Sequence, residues 1–409
     1  MWSIPVLAVV TISAIFAANQ AFAQTPVPAP VTPPATNNPS ATSAPAPSTN
    51  ITLPTPGMSG PLAFSPTPFS IDLGPLGKNY ITGVLSGLGF EQSNPASGNR
   101  NGQIDLSNAQ IMVQKTDGLV QYYVQIGAYT IPSLGAAYIP VTNTNPDLFG
   151  AVPQAFIKIA PTSNFSIEGG KLPTLIGAEY TFTFENMNIE RGLLWNQEPA
   201  VSRGVQANYT LGPVAFSVSF NDGYYSDVFN WISGSATWTI NSSNTLEFAA
   251  GGNLGKTGVS TIATPLAQNN SSIYNIIYTH SSGPWTITPY VQWSHVPANV
   301  SLGFQHDAWT YGAAVLANYA FNSHLSLAGR LEYVGSTGGL SQGAPNLLYG
   351  PGSKAMSLTL TPTFQWSRYF VRGEVSYVAL LDAVDGFALG PNLNKKNQVR
   401  GIVETGVLF

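Results

Sequence analysis

The sequence has no cysteine, which excludes disulfide frameworks, thiolate metal ligands and cysteine nucleophiles. It has little charge: 15 Lys and Arg and 19 Asp and Glu make up 8% of the 409 residues, against about a quarter in an ordinary soluble domain. A soluble protein of this length relies on surface charge to stay dispersed, so the shortage argues against a water-facing exterior. There is also no interior apolar run of about 18 residues, which a membrane-crossing helix would need. The net charge of −4 is too small to indicate a polyanionic partner, so no nucleic acid is expected. The four histidines, His280, His295, His306 and His324, show no ligand spacing with a carboxylate partner, and no metal site is expected. No glycine-rich phosphate loop opens a helix, and no cofactor is expected.

What remains is 40 Gly, 11% aromatic residues and 44% hydrophobic residues, dispersed rather than clustered. Alternation explains the dispersal. In the stretch from Gln398 to Phe409, Val399, Gly401, Val403, Thr405, Val407 and Phe409 share one strand face, because successive side chains point to opposite sides. Arg400, Ile402 and Glu404 share the other. Hydrocarbon on one face and polarity on the other suits a closed sheet in lipid, and closure removes the unpaired edge that an apolar-faced strand would expose. The final Phe409 resembles the signal read by the bacterial outer-membrane barrel assembly machinery, an expected partner.

Residues 1–23 read as a signal peptide: Pro5 to Ala18 is mostly apolar and short, and Ala21-Phe22-Ala23 is a small-x-small cleavage pattern. Residues 24–70, rich in Pro, Ala and Thr, are expected to be a disordered periplasmic tether, since they lack the apolar content for a core. Residues 71–409 form the expected barrel. Trp285 to His295, Leu325 to Tyr333 and Met356 to Trp366 alternate most clearly, although Pro289 and Pro362 each remove a ladder donor.

The connections alternate too. Tight ones, such as Thr116-Asp117-Gly118, Asn241-Ser242-Ser243-Asn244 and Ser281-Ser282-Gly283, separate longer ones around 91–102, 131–151, 172–199, 222–227, 254–271, 296–308, 336–353 and 380–396. Outer-membrane barrels have short periplasmic turns and long outer loops. The reading is therefore an all-β, transmembrane antiparallel β-barrel of about 16 strands, with 14 as the alternative count.

Expected pore-lining residues are Gln121 and Gln125 early in the chain and three charged pairs late in it: Arg330 with Glu332, Arg372 with Glu374, and Arg400 with Glu404. Two readings of the pairs stand side by side. Each pair shares one strand's inner face, and the charges either form ion pairs across neighbouring strands that stiffen one wall, or make a charged wall acting on permeating solutes.

Gly169 to Glu179 reads G-G-K-L-P-T-L-I-G-A-E, followed by Arg191-Gly192-Leu193-Leu194-Trp195, Glu198-Pro199, Ser202-Arg203-Gly204-Val205 and, after a hairpin, Phe220-Asn221-Asp222-Gly223-Tyr224. This order, over about residues 165–255, resembles the family called putative beta-barrel porin-2 (OmpL-like), of Gram-negative outer membranes. The resemblance implies a porin-like channel. In general porins the third outer loop folds into the barrel, and 172–199 is the third here. Its Glu179, Glu185, Glu190 and Arg191 are accordingly expected at the constriction, facing the late arginines.

The expected function is passive diffusion of small hydrophilic solutes through a channel in the bacterial outer membrane. The partners are then those solutes, outer-membrane lipid and lipopolysaccharide. The alternative is a structural or surface-binding barrel with a loop-blocked lumen. An enzyme is not expected. Tyr278-Thr279-His280-Ser281 faintly resembles an outer-membrane phospholipase site, but the pair falls in a turn at the rim, where the geometry of nucleophilic catalysis is not offered.

Overall fold

A computed structural model describes residues 53–409; the expected signal peptide and residues 24–52 lie outside the described residues. A short strand, β1 (Phe69–Asp72), precedes sixteen long ones. These are β2 (Lys78–Gln92), β3 (Gly102–Lys115), β4 (Val120–Tyr129), β5 (Gln154–Ile159), β6 (Phe165–Pro173), β7 (Val201–Leu211), β8 (Val214–Asn221) and β9 (Trp231–Asn241). They continue as β10 (Asn244–Asn253), β11 (Ser272–Ser282), β12 (Trp285–Val296), β13 (Ala308–Ala320), β14 (Leu325–Ser336), β15 (Lys354–Trp366), β16 (Tyr369–Asp382) and β17 (Asn397–Leu408). Each pairs antiparallel with the next, and β17 returns to β2 with Arg400 opposite Gln92 and Leu408 opposite Val84. The barrel is closed at 16 strands, the first of the two expected counts.

Side-chain alternation follows the sequence pattern. Val399, Val403, Thr405 and Phe409 face outward, whereas Gln398, Arg400, Ile402 and Glu404 are buried inside. The outer surface carries Ile104, Val205, Val218, Phe248, Leu331, Leu358, Val375 and Val403, all exposed, which in this setting means exposed to hydrocarbon. Aromatic rings mark both rims. Trp238, Trp285, Phe321, Trp366 and Tyr369 lie beside tight turns, and Trp309, Tyr311, Tyr333 and Tyr377 lie toward the long loops. Such girdles sit at the two lipid–water interfaces.

Both prolines are accommodated inside strands at a local cost. Pro289 sits opposite Val315 on one side, but the β11–β12 pairing breaks between Ile277–Tyr290 and His280–Ile287. Pro362 sits opposite Leu327, and the β15–β16 pairing breaks between Leu360–Val375 and Thr363–Arg372. Each ring removes one donor and so loosens only one of its two ladders.

Residues 53–70, expected to be disordered, are a correction. β1 pairs with the start of β2, Phe69 opposite Ile81 and Asp72 opposite Lys78, in the lane that β17 vacates at Phe409. Ahead of it the chain enters the barrel. The Gln114 side-chain amide donates to the Thr55 carbonyl, and Gln365 both accepts from the Ala63 N–H at 2.9 Å and donates to the Ala63 carbonyl at 2.7 Å. Leu62 is buried among Val84, Met112, Tyr123 and Leu408. Too few apolar residues are present to make a core unaided, but Met58, Leu62 and Phe64 complete one that the barrel wall supplies.

Candidate pore constriction

The connection between β6 and β7, residues 174–200, folds into the lumen. Its sequence explains why it can. Phe182 and Phe184 are fully buried against Val84, Met112 and Tyr123 on the inner wall, and Leu193 and Leu194 against Tyr290, Ala314 and Leu316. The apolar residues anchor it at two places, and between them it presents charge and bare backbone to the late strands.

All three late arginines meet the loop. Arg330 pairs with Glu179 at 2.5 Å and donates to the Glu190 carbonyl at 2.7 Å. Arg372 donates to the carbonyls of Thr183, Asn186 and Met187, each at 2.9 Å. Arg400 pairs with Glu190 and also reaches Gln92. The late glutamates do likewise with backbone donors. Glu374 accepts from the N–H groups of Ile189 and Glu190, and Glu332 from those of Leu193 and Leu194. Glu404 accepts from the Thr183 hydroxyl at 2.7 Å. Pairing within the wall is secondary: Arg330 to Glu332, two residues along on the same strand, is 3.2 Å, and Arg372 to Glu404, across the β16–β17 ladder, is 3.5 Å.

Both expectations for these residues therefore need correction. The charges point into the lumen as the alternation requires, but the loop covers them. None of Arg330, Glu332, Arg372, Glu374, Arg400 and Glu404 is more than 3% exposed, so they neither face a solute nor chiefly stiffen a wall. They bind the loop. Glu179, Glu190 and Arg191 are buried in the same network, Arg191 spending its guanidinium on the carbonyls of Pro132, Thr181 and Ile189. Glu185 accepts the Phe182 N–H at 2.9 Å, and burial, only partly offset by that bond and by the Arg191 charge, pushes its carboxyl up to about 8. Burial likewise lowers Arg191 to about 10. Gln125 is buried between Tyr123 and Gln110, while Gln121, nearer a tight turn, donates to the Gly118 carbonyl.

Two cavities flank the loop. The first, about 530 Å³, lies on the long-loop side and is lined by Ile131, Leu148, Leu193, Trp195, Glu198 and Leu348 among others. The second, about 650 Å³, lies toward the tight turns, between residues 174–180 and the β9–β12 wall of Ser235, Thr237, Glu247, Thr279 and Thr288. Glu198 borders the first and Gly177 the second, and a Cβ on Gly177 would overlap the Glu198 carboxylate. The partition at this point is one side chain against one bare backbone.

His280 and Ser281 do not form a catalytic pair. They are adjacent on β11, so they face opposite sides of the sheet. The His280 ring bonds Asn244 at 2.8 Å and the Ser281 hydroxyl bonds Thr286 at 2.9 Å. Among the described residues no cluster of three or more His, Asp or Glu could hold a metal ion.

The family model described as Putative beta-barrel porin-2, OmpL-like, matches residues 79–409. The chain belongs to that family. Solved structures agree on the fold of this outer-membrane porin barrel. OmpT of Vibrio cholerae, an outer membrane protein, is 11% identical over 82% of this chain and 98% of its own, with a TM-score of 0.54. The outer membrane channel DcaP of Acinetobacter baumannii is 9% identical over 80% and 96%, with a TM-score of 0.54. Salmonella typhi OmpF, solved in complex with daunomycin, is 14% identical over 83% and 100%, with a TM-score of 0.54. No curated protein sequence matches the chain. One element of this porin's lumen has no sequence signal, the inserted residues 55–64. Glu198 is visible in sequence as one of four carboxylates in the loop, but nothing there separates it from the other three, and only the fold leaves it without a partner.

Proposed function

We propose that this porin-family barrel passes small hydrophilic solutes by passive diffusion, along a path between the folded-in loop and the β9–β12 wall. The observation that carries the reading is the loop's asymmetry. It is fastened to β14–β17 by six charged side chains, whereas toward β9–β12 it leaves a cavity walled by the hydroxyls of Ser235, Thr237, Thr279, Ser281, Thr286 and Thr288, with Glu247 the carboxylate on that wall. Uncharged hydroxyls can exchange hydrogen bonds with a hydrated solute without holding it, which conduction requires. The long loops would face outward and the tight turns the periplasm, as in barrels of this class, which would put residues 53–64 in the periplasmic half. No catalytic step belongs to this reading, since His280 and Ser281 face opposite sides of their strand.

The second reading, a surface-binding barrel with a blocked lumen, draws support from one observation. Ser59 and Gly60 donate their N–H groups to the Glu185 carbonyl at 2.8 and 3.2 Å, and Phe64 packs edge-on against Phe184 at 5.9 Å, so a second segment fills the lumen beneath the loop. Single-channel recording of the refolded full-length barrel, with liposome swelling in neutral sugars, decides between them. Stable conductance and size-dependent swelling are expected; a silent bilayer with folded protein present would favour the blocked barrel.

A further inference from the structure

Of the loop's four carboxylates, one is left without a partner. Glu179 is held by Arg330 and the Gly192 N–H, Glu190 by Arg400 and Ser376, and Glu185 by the Phe182 N–H. Glu198 is only 5% exposed, yet neither of its carboxylate oxygens meets a donor. The nearest charged groups are carboxylates, Glu179 and Glu332, whose compensating cation is Arg330. A buried polar group without a partner costs free energy, and an ionised one costs most. Native structures carry few such groups, and each calls for an explanation such as an unseen ligand or a functional role.

The surroundings indicate the ligand. Glu198 borders the cavity of about 530 Å³ on the long-loop side, within the size range of small-molecule sites. The rest of that lining is largely apolar, from Ile131, Leu148, Leu193, Ile262 and Leu348. Gln197 also lines it, with its Oε1 unpartnered, while its Nε2 donates to the Leu347 carbonyl. Against one unpaired donor, the Trp195 indole N–H, stand the unpaired oxygens of Gln197 and Glu198; acceptors in excess in an apolar cleft suit a donor-rich cation with an apolar body. An anion would find no cation there, since Arg330 is already taken by Glu179 and Glu332.

We propose that this cavity binds organic cations, an ammonium or amidinium group on a small apolar body, with Glu198 as the counter-ion. The inference deepens the channel reading by naming a solute class, and Glu198 stands at the partition with Gly177 that such a solute would pass. Desolvation and the two neighbouring carboxylates raise the proton affinity of Glu198; Tyr224 and Tyr290 also stand near it. An arriving ammonium group therefore displaces a proton, which makes binding tighter in alkaline than in acidic buffer.

The test is calorimetric titration of the refolded, full-length barrel in detergent with benzylammonium, benzoate and benzyl alcohol. Benzylammonium is expected to bind at least about tenfold more tightly than the other two, one charge-assisted contact being enough for such a ratio. Comparison of two buffers of different ionisation enthalpy should show proton release. Glu198→Gln, of the same shape, should abolish both the preference and the proton release. Equal affinity for the three probes in the unaltered protein, or a preference that survives Glu198→Gln, overturns the site. Because binding is read without current, a barrel that binds benzylammonium but never conducts keeps the site and loses the channel reading; one that conducts without the preference does the reverse.

Discussion

Arg400 on the last strand forms a buried ion pair with Glu190 of the folded-in loop, joining two points 210 residues apart. Its guanidinium also takes Gln92 on β2, so one side chain ties the loop to the seam where the barrel closes. Breaking one partner of a buried pair leaves the other charge without compensation, at about 3–5 kcal/mol. Glu190→Gln should therefore loosen the loop without opening the barrel, whose β16–β17 and β17–β2 ladders do not depend on it. The expected outcome is a noisier and larger single-channel current, with heat-modifiability kept. Glu190→Gln with Arg400→Met should quieten the current again, because neither charge is then left buried alone. An unchanged current in the single variant would mean that the other five charged anchors suffice.

The inserted residues 55–64 make a separate prediction. Deleting 53–66 removes Leu62, whose burial is worth about 1.5–3 kcal/mol, and frees the Glu185 carbonyl that Ser59 and Gly60 satisfy. Conductance should rise, and the melting temperature should fall by a few degrees. Identical conductance with and without the segment would show that it stands clear of the path.

A pH dependence follows from Glu185. Its folded carboxyl is raised to about 8 by burial, from an unfolded value near 4.3. A carboxyl raised on folding stabilises the fold at low pH and loses that contribution as pH climbs toward the folded value. Loop docking should thus weaken between about pH 4.5 and 8 and level off above, seen as current noise growing with pH. Glu185→Gln should flatten the profile, and a profile unchanged by that substitution would remove Glu185 as its source.

Strand number, closure, the order of short and long connections and the inward course of the late charges were all legible in the sequence, because a strand's period of two records which face meets lipid. The partners of those charges were not. Arg372 and Glu374 look like a pair in sequence, yet Arg372 serves three loop carbonyls and Glu374 two loop amides. Backbone groups are the same in every sequence, so a docking built on them leaves no trace in residue type. The inserted segment escaped for a related reason. Its few apolar residues cannot fold alone, and the wall that receives them is assembled from both ends of the barrel sequence, β2–β4 with β16 and β17. Residues 24–52 were read by the same compositional argument and lie outside the described region.

Phe409 and Gly83 carry the last prediction. They exchange both backbone hydrogen bonds, the Gly83 N–H to the Phe409 carbonyl at 2.8 Å and the Phe409 N–H back at 3.0 Å. The aromatic ring lies where a side chain on Gly83 would be, a glycine covered by a neighbour's ring. Two roles for Phe409 then compete, an assembly signal and a structural clasp, and they respond differently to where folding takes place. Phe409→Ala keeps the backbone bonds and bares Gly83. As a clasp it should lose stability equally in cells and in detergent refolding, by about 1 kcal/mol. As a signal it should refold normally in detergent while heat-modifiable barrel in the outer membrane drops several-fold. We expect the second pattern, with Gly83→Leu giving the first, since a side chain there displaces the ring without removing it. Equal, normal yields of folded Phe409→Ala barrel in both settings would deny the residue either role.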